Sequence, residues 1–172
     1  MMNKTVAVVG QVIEAMRSQF TSDAATAPLG GVVPTIEHRP GADVALDGLQ
    51  YENCTGIVWV NVLRMYRTTV WPNEDDGGIH PCHGALAVVI QVGAARCVST
   101  VDAQGYPPPP DAMEYDALVG LDDADRLEKA LCIASREIDR LNLANGTVVG
   151  SSEPIGPQGG ILAWVKTINV QL

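Results

Sequence analysis

The sequence predicts an α+β domain in which a mostly antiparallel β-sheet packs against two α-helices. Helical periodicity near the N-terminus and in the last third, two long β-branched segments and a C-terminal alternating segment predict this class. A chain of 172 residues can bury roughly 70% of the surface that its unfolded form exposes. We therefore expect a single domain over residues 1–172. Its long glycine- and proline-rich loops are expected at 27–51, 72–83, 102–111 and 151–160.

The first predicted element is an amphipathic helix over residues 5–19. Apolar side chains recur there at spacings of three and four residues, as in a helix with one buried face. The members of this stripe are Val6, Val9, Ile13, Met16 and Phe20. The loop 27–51 that follows is rich in glycine and proline and has room for one short strand at 32–37.

Two long strands are predicted at 56–68 and 84–98. Both segments are rich in β-branched residues, which favour pleated, half-buried backbone. Leu86, Val88, Ile90 and Val92 alternate onto one face of the second strand. We expect the two strands to pair, although the loop between them is longer than a tight hairpin needs.

A second helix is predicted after the rigid segment Gly105-Tyr-Pro-Pro-Pro-Pro110. We expect Asp111 to be its N-cap and place its end near Asn145 and Gly146. Its apolar stripe consists of Leu127, Leu131, Ala134, Ile138 and Leu141.

The chain closes with a short predicted strand at 147–150, the loop 151–160 and a terminal strand up to residue 172. Alternation in the last strand predicts one buried and one polar face. The buried face consists of Ile168, Val170 and Leu172, and the polar face of Thr167, Asn169 and Gln171. We expect Trp164 to be buried beside the first set. Because chain ends fray unless a sheet holds them, we expect a structural C-terminus with no tail after it.

The charge and hydropathy patterns exclude several classes of partner. Eleven basic residues against 20 acidic ones give a net charge of −9, which disfavours sequence-specific nucleic-acid binding. The apolar runs, such as 85–90, are far shorter than the ~20 residues of a membrane helix. The N-terminal segment lacks the pattern of a signal peptide. We expect no membrane partner.

The four cysteines, Cys54, Cys82, Cys97 and Cys132, are scattered and form no C-x-x-C pair. This pattern favours reduced, mostly buried thiols in a cytoplasmic environment over disulfides. No nucleophile signature surrounds Cys54 or Cys97, so a catalytic thiol is not expected.

Candidate metal and phosphate motifs are incomplete. His80-Pro-Cys-His83 lacks a second ligand pair with matching spacing, so an ordinary turn is favoured over zinc. Glu74-Asp75-Asp76 lacks the spacing of a calcium loop and is expected to be a solvated turn. The acidic segment 121–125 is expected to be hydrated helix, and 156–160 lacks the features of a phosphate loop.

We therefore expect no enzyme activity and no catalytic, cofactor-binding or metal-binding residues. Large apolar side chains could line a ligand pocket, but core packing is favoured because they fit the periodicity of the predicted elements. These side chains are Met16, Phe20, Trp59 and Trp164.

The order of these segments resembles that of tail terminator proteins of long-tailed, siphovirus-type bacteriophages. The resemblance spans nearly the whole chain and carries no catalytic signature. Its segments are the opening helix, the strands 56–68 and 84–98 with Arg96-Cys97, the turn 105–110, the long helix through 127–141 and the closing segment 159–172.

The resemblance implies a structural virion protein of the neck and tail, assembled in the host cytoplasm. Its subunits would form a homo-hexameric ring that caps the tail tube, stops its polymerisation and joins it to the head connector. The implied partners are the major tail tube protein and the connector or stopper protein, while DNA only passes through the lumen. An acidic chain suits such a channel. The loops 27–51 and 72–81 would be arms onto neighbouring rings or passive surface loops.

Three other functions remain open at the level of sequence. The nearest is another head-to-tail connector, such as a stopper or adaptor, or a minor tail protein. The others are a small-molecule-binding or enzymatic α+β domain, which a deep pocket with converging polar groups would indicate, and a monomeric accessory protein.

Overall fold

The protein consists of two layers, a β-sheet and two α-helices that pack on one of its faces. The computed structural model describes residues 3–42, 54–75 and 84–172. The helices are α1 (Lys4–Phe20) and α2 (Pro110–Arg140), and the strands are β1 (Ile36–Arg39), β2 (Ile57–Thr68), β3 (Ala85–Cys97), β4 (Gly146–Gln158) and β5 (Ile161–Gln171). The predicted α+β class is confirmed.

The five strands form one sheet in the order β1-β2-β3-β5-β4. The predicted pairing of the two long strands is confirmed, because β2 runs antiparallel to β3 with Trp59 opposite Gly93. β5 lies between β3 and β4 and is antiparallel to both. Only β1 pairs in parallel, with β2. The terminal strand is therefore an interior strand of the sheet.

The main core lies between the helices and one face of the sheet. The helices contribute Val8, Val12, Met16, Phe20, Leu127, Leu131, Ala134 and Ile138, and the sheet contributes Val58, Val60, Val88, Ile90, Val92, Ile168 and Val170. Leu172 and Trp164 are half-buried and pack against the same core. The predicted faces of β5 and of the later part of α2 are thus confirmed, and Met16 and Phe20 are core residues.

Both helix predictions need corrections. Val6 is 64% exposed, because α1 turns Val8 and Val12 toward the sheet instead. The valines near the start of α1 lie on several faces, so periodicity did not determine which face is buried.

Leu141 is 41% exposed because α2 ends one residue before it. Asp111 is not the N-cap; that position belongs to Pro109, and the helix starts with Pro110, whose missing N–H has no helical partner to lose.

The prediction of a loop at 151–160 is wrong, because β4 extends through most of it. Pro154 and Pro157 are tolerated there because β4 is an edge strand, where a missing backbone donor can face away from the sheet. Its register shifts twice against β5. Gly159 and Gly160, with φ of 58° and 77°, form the tight turn into β5.

The other predicted loops are partly described. The short strand expected at 32–37 lies at Ile36–Arg39. The loop expected at 102–111 loses its last two residues to α2. The structure does not describe residues 43–51 of the predicted loop 27–51, or residues 76–83 of the predicted loop 72–83.

The opposite face of the sheet carries a second cluster, centred on Trp59. Its indole ring lies flat over Gly93, where an added Cβ would come within 2.1 Å of the ring. Trp59 is 2% exposed and packs with the buried residues Ala95, Ile161, Ala163 and Val165. The core role predicted for Trp59 is therefore confirmed.

The prediction of reduced cysteines is wrong for Cys54 and Cys97, which form a disulfide across the end of β3. Their Cα atoms lie 5.9 Å apart, within the range that a disulfide spans. The two residues are separated by 43 positions, so only the fold brings them together. Cys132 is a free, half-buried thiol, and Cys82 lies outside the described residues.

Neither helix is long and apolar enough to cross a membrane, as far as the described ranges extend.

Deletion of residues 161–172 should leave the chain insoluble or molten, because it removes an interior strand. Four apolar side chains that this segment buries, Ile161, Val165, Ile168 and Val170, stabilise the fold by roughly 1.5–3 kcal/mol each. Their sum rivals the ~5–15 kcal/mol stability of a whole domain. The control Gln171→Ala changes a half-exposed side chain on the polar face and should melt like the wild type. A cooperative, unshifted melting transition of the truncated chain would contradict the assignment.

Candidate interaction surfaces

A buried ion pair connects the sheet to the long helix. Arg96 on β3 is 6% exposed and Asp123 on α2 is 1% exposed. Nε and Nη2 of Arg96 donate hydrogen bonds to the two carboxylate oxygens of Asp123, at 2.9 and 3.2 Å. Nη1 donates to the carbonyl oxygens of Gly30 and Thr55, at 3.0 and 3.1 Å. One guanidinium thus joins β3, α2 and two loops.

The prediction that segment 121–125 is hydrated is therefore wrong at Asp123. Burial raises the pKa of the Asp123 carboxyl, and the hydrogen bonds and charge of Arg96 oppose this rise. The available sequence signal for this pair was Arg96, a charged residue within the apolar stretch of β3. Their partnership depends on how the helix crosses the sheet.

A second arginine holds the loop that follows α1. Nη1 of Arg126 donates to the carbonyl oxygens of Gln19 and Thr26, and Nη2 donates to that of Ala27, each at 2.9 Å. Nε donates to Asp122 at 2.8 Å. The three carbonyls mark the end of α1 and the start of the loop, so Arg126 anchors both to α2.

Asp122 extends this network to Leu29, whose N–H donates to its carboxylate at 2.9 Å. Partial burial opposes ionisation of Asp122, but the hydrogen bonds from Arg126 and Leu29 outweigh it and lower its pKa. The loop apex at Leu29 is therefore held against the middle of α2.

The first three turns of α2 extend beyond the core, and we call residues 110–121 the α2 arm. The first buried side chain of the helix is Val119; all those before it are exposed or half-exposed. The arm exposes four large apolar side chains: Met113 at 48%, Tyr115 at 52%, Leu118 at 49% and Leu121 at 58%. It carries Asp111, Glu114 and Asp116 and no basic residue. The arm is an acidic helix with an apolar surface that remains exposed among the described residues.

Two contacts orient the arm. The hydroxyl of Tyr115 donates to the carbonyl oxygen of Leu29 at 3.1 Å, and the carboxylate of Asp116 accepts from the N–H of Ser99 at 2.7 Å. Leu29 is itself 46% exposed and continues the apolar surface. These contacts hold the arm in a defined orientation, and its large apolar side chains remain exposed to solvent.

An apolar groove of about 290 Å³ lies between the first half of α1 and the strands β1 and β2, and we call it the α1 groove. Its lining residues are Thr5, Val6, Val9, Gly10, Ile13, His38 and Val62. A Cβ added at Gly10 would meet no neighbouring atom within 4 Å. Glycine inside a helix costs about 1 kcal/mol relative to alanine, so this position lowers helix stability without a packing reason among the described residues.

The two edges of the sheet differ. Beyond Asn61, the outer edge of β2 has no strand partner among the described residues, since β1 pairs only with the first part of β2. Arg64, Met65 and Arg67 are exposed there, and Arg64 pairs with Glu74 at 2.6 Å. The β4 edge carries two prolines and two register shifts, which hinder pairing with another strand. Sheet extension through β4 is therefore disfavoured.

Those candidate chemical residues that the structure describes do not converge into one site. Glu74 pairs with Arg64, and the carboxylate of Asp75 accepts from both the N–H and the hydroxyl of Thr69. Asp76, His80, Cys82 and His83 lie outside the described residues. Among the described residues, no group of three or more His, Cys, Asp or Glu side chains is placed to hold a metal ion.

The described cysteines and the glycine-rich segment 156–160 occupy structural positions in the fold. Cys54 and Cys97 are joined to each other. Burial, reinforced by Glu128, raises the pKa of the Cys132 thiol, which lowers its reactive thiolate fraction. Segment 156–160 forms the end of β4 and the turn into β5, with no helix N-terminus after it.

Breaking the buried ion pair should strongly destabilise the fold. Arg96→Met or Asp123→Leu leaves one buried charge without its partner, at a cost of about 3–5 kcal/mol in the free energy of unfolding. The double variant should be less destabilised than the sum of the two, because no unpaired charge remains. Urea unfolding measures all three. The control Arg17→Ala, in the exposed pair with Glu14, should cost less than about 1 kcal/mol. An equal cost for Arg96→Met and the control would refute this role.

The lowered pKa of Asp122 should make its contribution to stability depend on pH. Its folded-state pKa lies below the ordinary value of 3.8, so the contribution is present above that pH and disappears as pH falls through the lowered pKa. Asp122→Asn should therefore lower the melting temperature at neutral pH, with a smaller difference from the wild type in strong acid. Asp125→Asn, in an exposed pair with Lys129, is the control. A difference that grows with acidity would contradict the assignment.

Comparison with known proteins adds one structural similarity. No protein-family model matches the sequence, and no curated protein matches it. Among solved structures, the chain is similar to the sheath/tube terminator of an extracellular contractile injection system, PVC, determined by cryo-EM in its extended state. The sequences are 15% identical, and the match covers 100% of this chain but only 58% of that one. The TM-score of 0.26 is too low to indicate a common fold.

Proposed function

We propose that the chain is a non-enzymatic structural protein of a tail-like particle, a tail terminator. In this proposal its copies form a ring, with six members as the resemblance implies, on the last ring of the tail tube. The ring stops tube polymerisation and offers its other side to the head connector or stopper. It is located at the neck of the virion after assembly in the host cytoplasm.

The observation that carries the proposal is the α2 arm. Three turns of an ordered helix present Tyr115, Leu118 and Leu121 to solvent while contributing little to the protein's own core. An apolar patch with a charged rim is typical of a protein–protein interaction site. A protein whose surface is organised for contacts, and whose segment order resembles that of tail terminators, fits a structural role in an assembly.

The engagement of the polar groups supports a non-enzymatic role. In the described ranges, three of the buried charged residues, Arg96, Asp123 and Arg126, hold loops and helix together. Lys166 is 5% exposed and is bound by Glu128 and Ser152. Each of these groups already has structural partners, whereas a catalytic group needs room for a substrate.

The charge of the chain suits a channel for DNA. Each copy carries a net charge of −9, so a ring of several copies presents a strongly acidic body to the phosphate backbone. DNA then passes through the lumen without being held, and no sequence is read. A strongly basic lumen in the assembled ring would contradict this part of the proposal.

Growth of tail tubes in the presence of the chain tests the proposal. Tail tube protein from the same virus should form shorter tubes, each with an additional ring at one end, when the purified chain is added; electron microscopy measures both. Leu118→Asp, on the exposed side of the arm, should weaken capping, while Lys129→Ala, exposed on α2 beyond the arm, should not. Unchanged tube lengths with no end-bound ring would refute the terminator role. Binding to the connector alone would favour the stopper or adaptor alternative.

A further inference from the structure

We infer that the α2 arm of one copy docks into the α1 groove of a second copy, so that copies join head to tail. The inference deepens the proposed ring function and rests on it. It assigns the two surfaces of the contact, which neither the resemblance nor the comparison with known proteins identifies.

The two surfaces are a projecting helix and a groove, and both are apolar. The arm is convex, with Tyr115, Leu118 and Leu121 as exposed apolar projections about half accessible to solvent. The groove is concave and apolar, and Val6 on its rim is 64% exposed. Burial of both surfaces in one contact removes apolar area from water on each side.

Gly10 is the strongest sign that the groove is occupied in the assembly. It lies in the interior of α1, where glycine weakens the helix, and no neighbouring side chain needs the space that a Cβ would fill. Glycine at position 10 is explained if another backbone or a bulky side chain approaches the helix closely there. The missing Cβ leaves room for an apolar side chain of the arm.

The charges of the two surfaces are opposite. The arm carries three acidic residues, Asp111, Glu114 and Asp116, and no base. On the groove side, α1 has an excess of one basic residue, since Arg17 pairs with its single acid, Glu14, and Lys4 remains. Lys4, directly before the groove-lining Thr5, forms no ion pair with the described residues. In a chain with a net charge of −9, this local excess of basic residues favours an acidic partner surface such as the arm.

The arm and the groove occupy different parts of the sheet. The groove lies at β1 and β2. The base of the arm crosses β5, where a Cβ at Gly120 would come within 3.0 Å of Trp164 Nε1. Because two different patches meet, the contact is heterologous and leaves one free arm and one free groove on every growing assembly. Such a contact produces a closed ring when the rotation between copies closes.

A mixing experiment with two blocked variants tests the inference. Gly10→Glu fills the groove and adds a negative charge, and Leu118→Glu removes an apolar projection of the arm. Each should raise the concentration of half-assembly about tenfold or more, measured by light scattering after size-exclusion chromatography. Mixed together, they should form dimers and nothing larger, because one variant keeps its arm and the other keeps its groove. Unaltered melting transitions would show that both variants fold.

Charge exchange provides a second, independent readout. Lys4→Glu alone and Glu114→Lys alone should each weaken assembly, and the double variant should regain part of it. The inference would be overturned if both blocked variants assembled like the wild type, or if their mixture remained monomeric. Neither result would contradict the proposed capping of the tail tube. A wild-type chain that is monomeric at all concentrations would also overturn the inference. If the mixture gave dimers only, as expected, but the wild-type chain failed to cap tail tubes, the proposed function would be refuted and the inference would stand.

Discussion

The fold depends on the buried contact between Arg96 and Asp123, because it joins the centre of the sheet to the long helix. Removing two charges from water is costly, and the cost is offset only when the geometry satisfies the available donors and acceptors. Arg96 meets this condition, since its hydrogen bonds reach both oxygens of Asp123 and two backbone carbonyls. An apolar pair can fill the same volume, but it cannot hold the Gly30 and Thr55 segments at the same time.

The position of α2 determines which surfaces the protein presents. A helix of 31 residues is about 46 Å long, and its core contacts begin only at Val119. The part before Val119 therefore extends past the core as the α2 arm. Arg126 and Asp122 hold the neighbouring loop, so that Leu29 lies beside Tyr115. The same network that stabilises the fold thus builds the apolar surface from which we propose assembly.

The β4 edge of the sheet hinders strand addition, so the proposed assembly uses the helices instead. Unpaired strand edges invite other strands, and proteins that must avoid this use prolines and bulges. β4 has both, at Pro154 and Pro157 and at its two register shifts. Contacts through side chains of α1 and α2 permit a defined number of copies, whereas open-ended strand addition does not close by itself.

Local sequence is sufficient to predict the elements whose periodicity matches their burial. β2, β3 and β5 lie within a few residues of their predicted bounds, because one face of each is buried by the core and this selects alternating apolar spacing. The later part of α2 buries its predicted stripe as far as Ile138, but the helix ends at Arg140 and not near Asn145 as predicted. Only the tertiary structure decided the exposure of Val6, since the valines of α1 lie on several faces. It also decided the length of β4, whose edge position tolerates residues that usually break strands.

The candidate surfaces were beyond prediction for the same reason. The partners of Arg96 and Cys97 lie 27 and 43 positions away in the chain, and nothing in their local sequence specifies them. The α2 arm resembles any other amphipathic helix until the structure shows that α2 buries no side chain before Val119. Local sequence determines which side chains favour burial, whereas the crossing of helix over sheet decides which of them are left for another molecule.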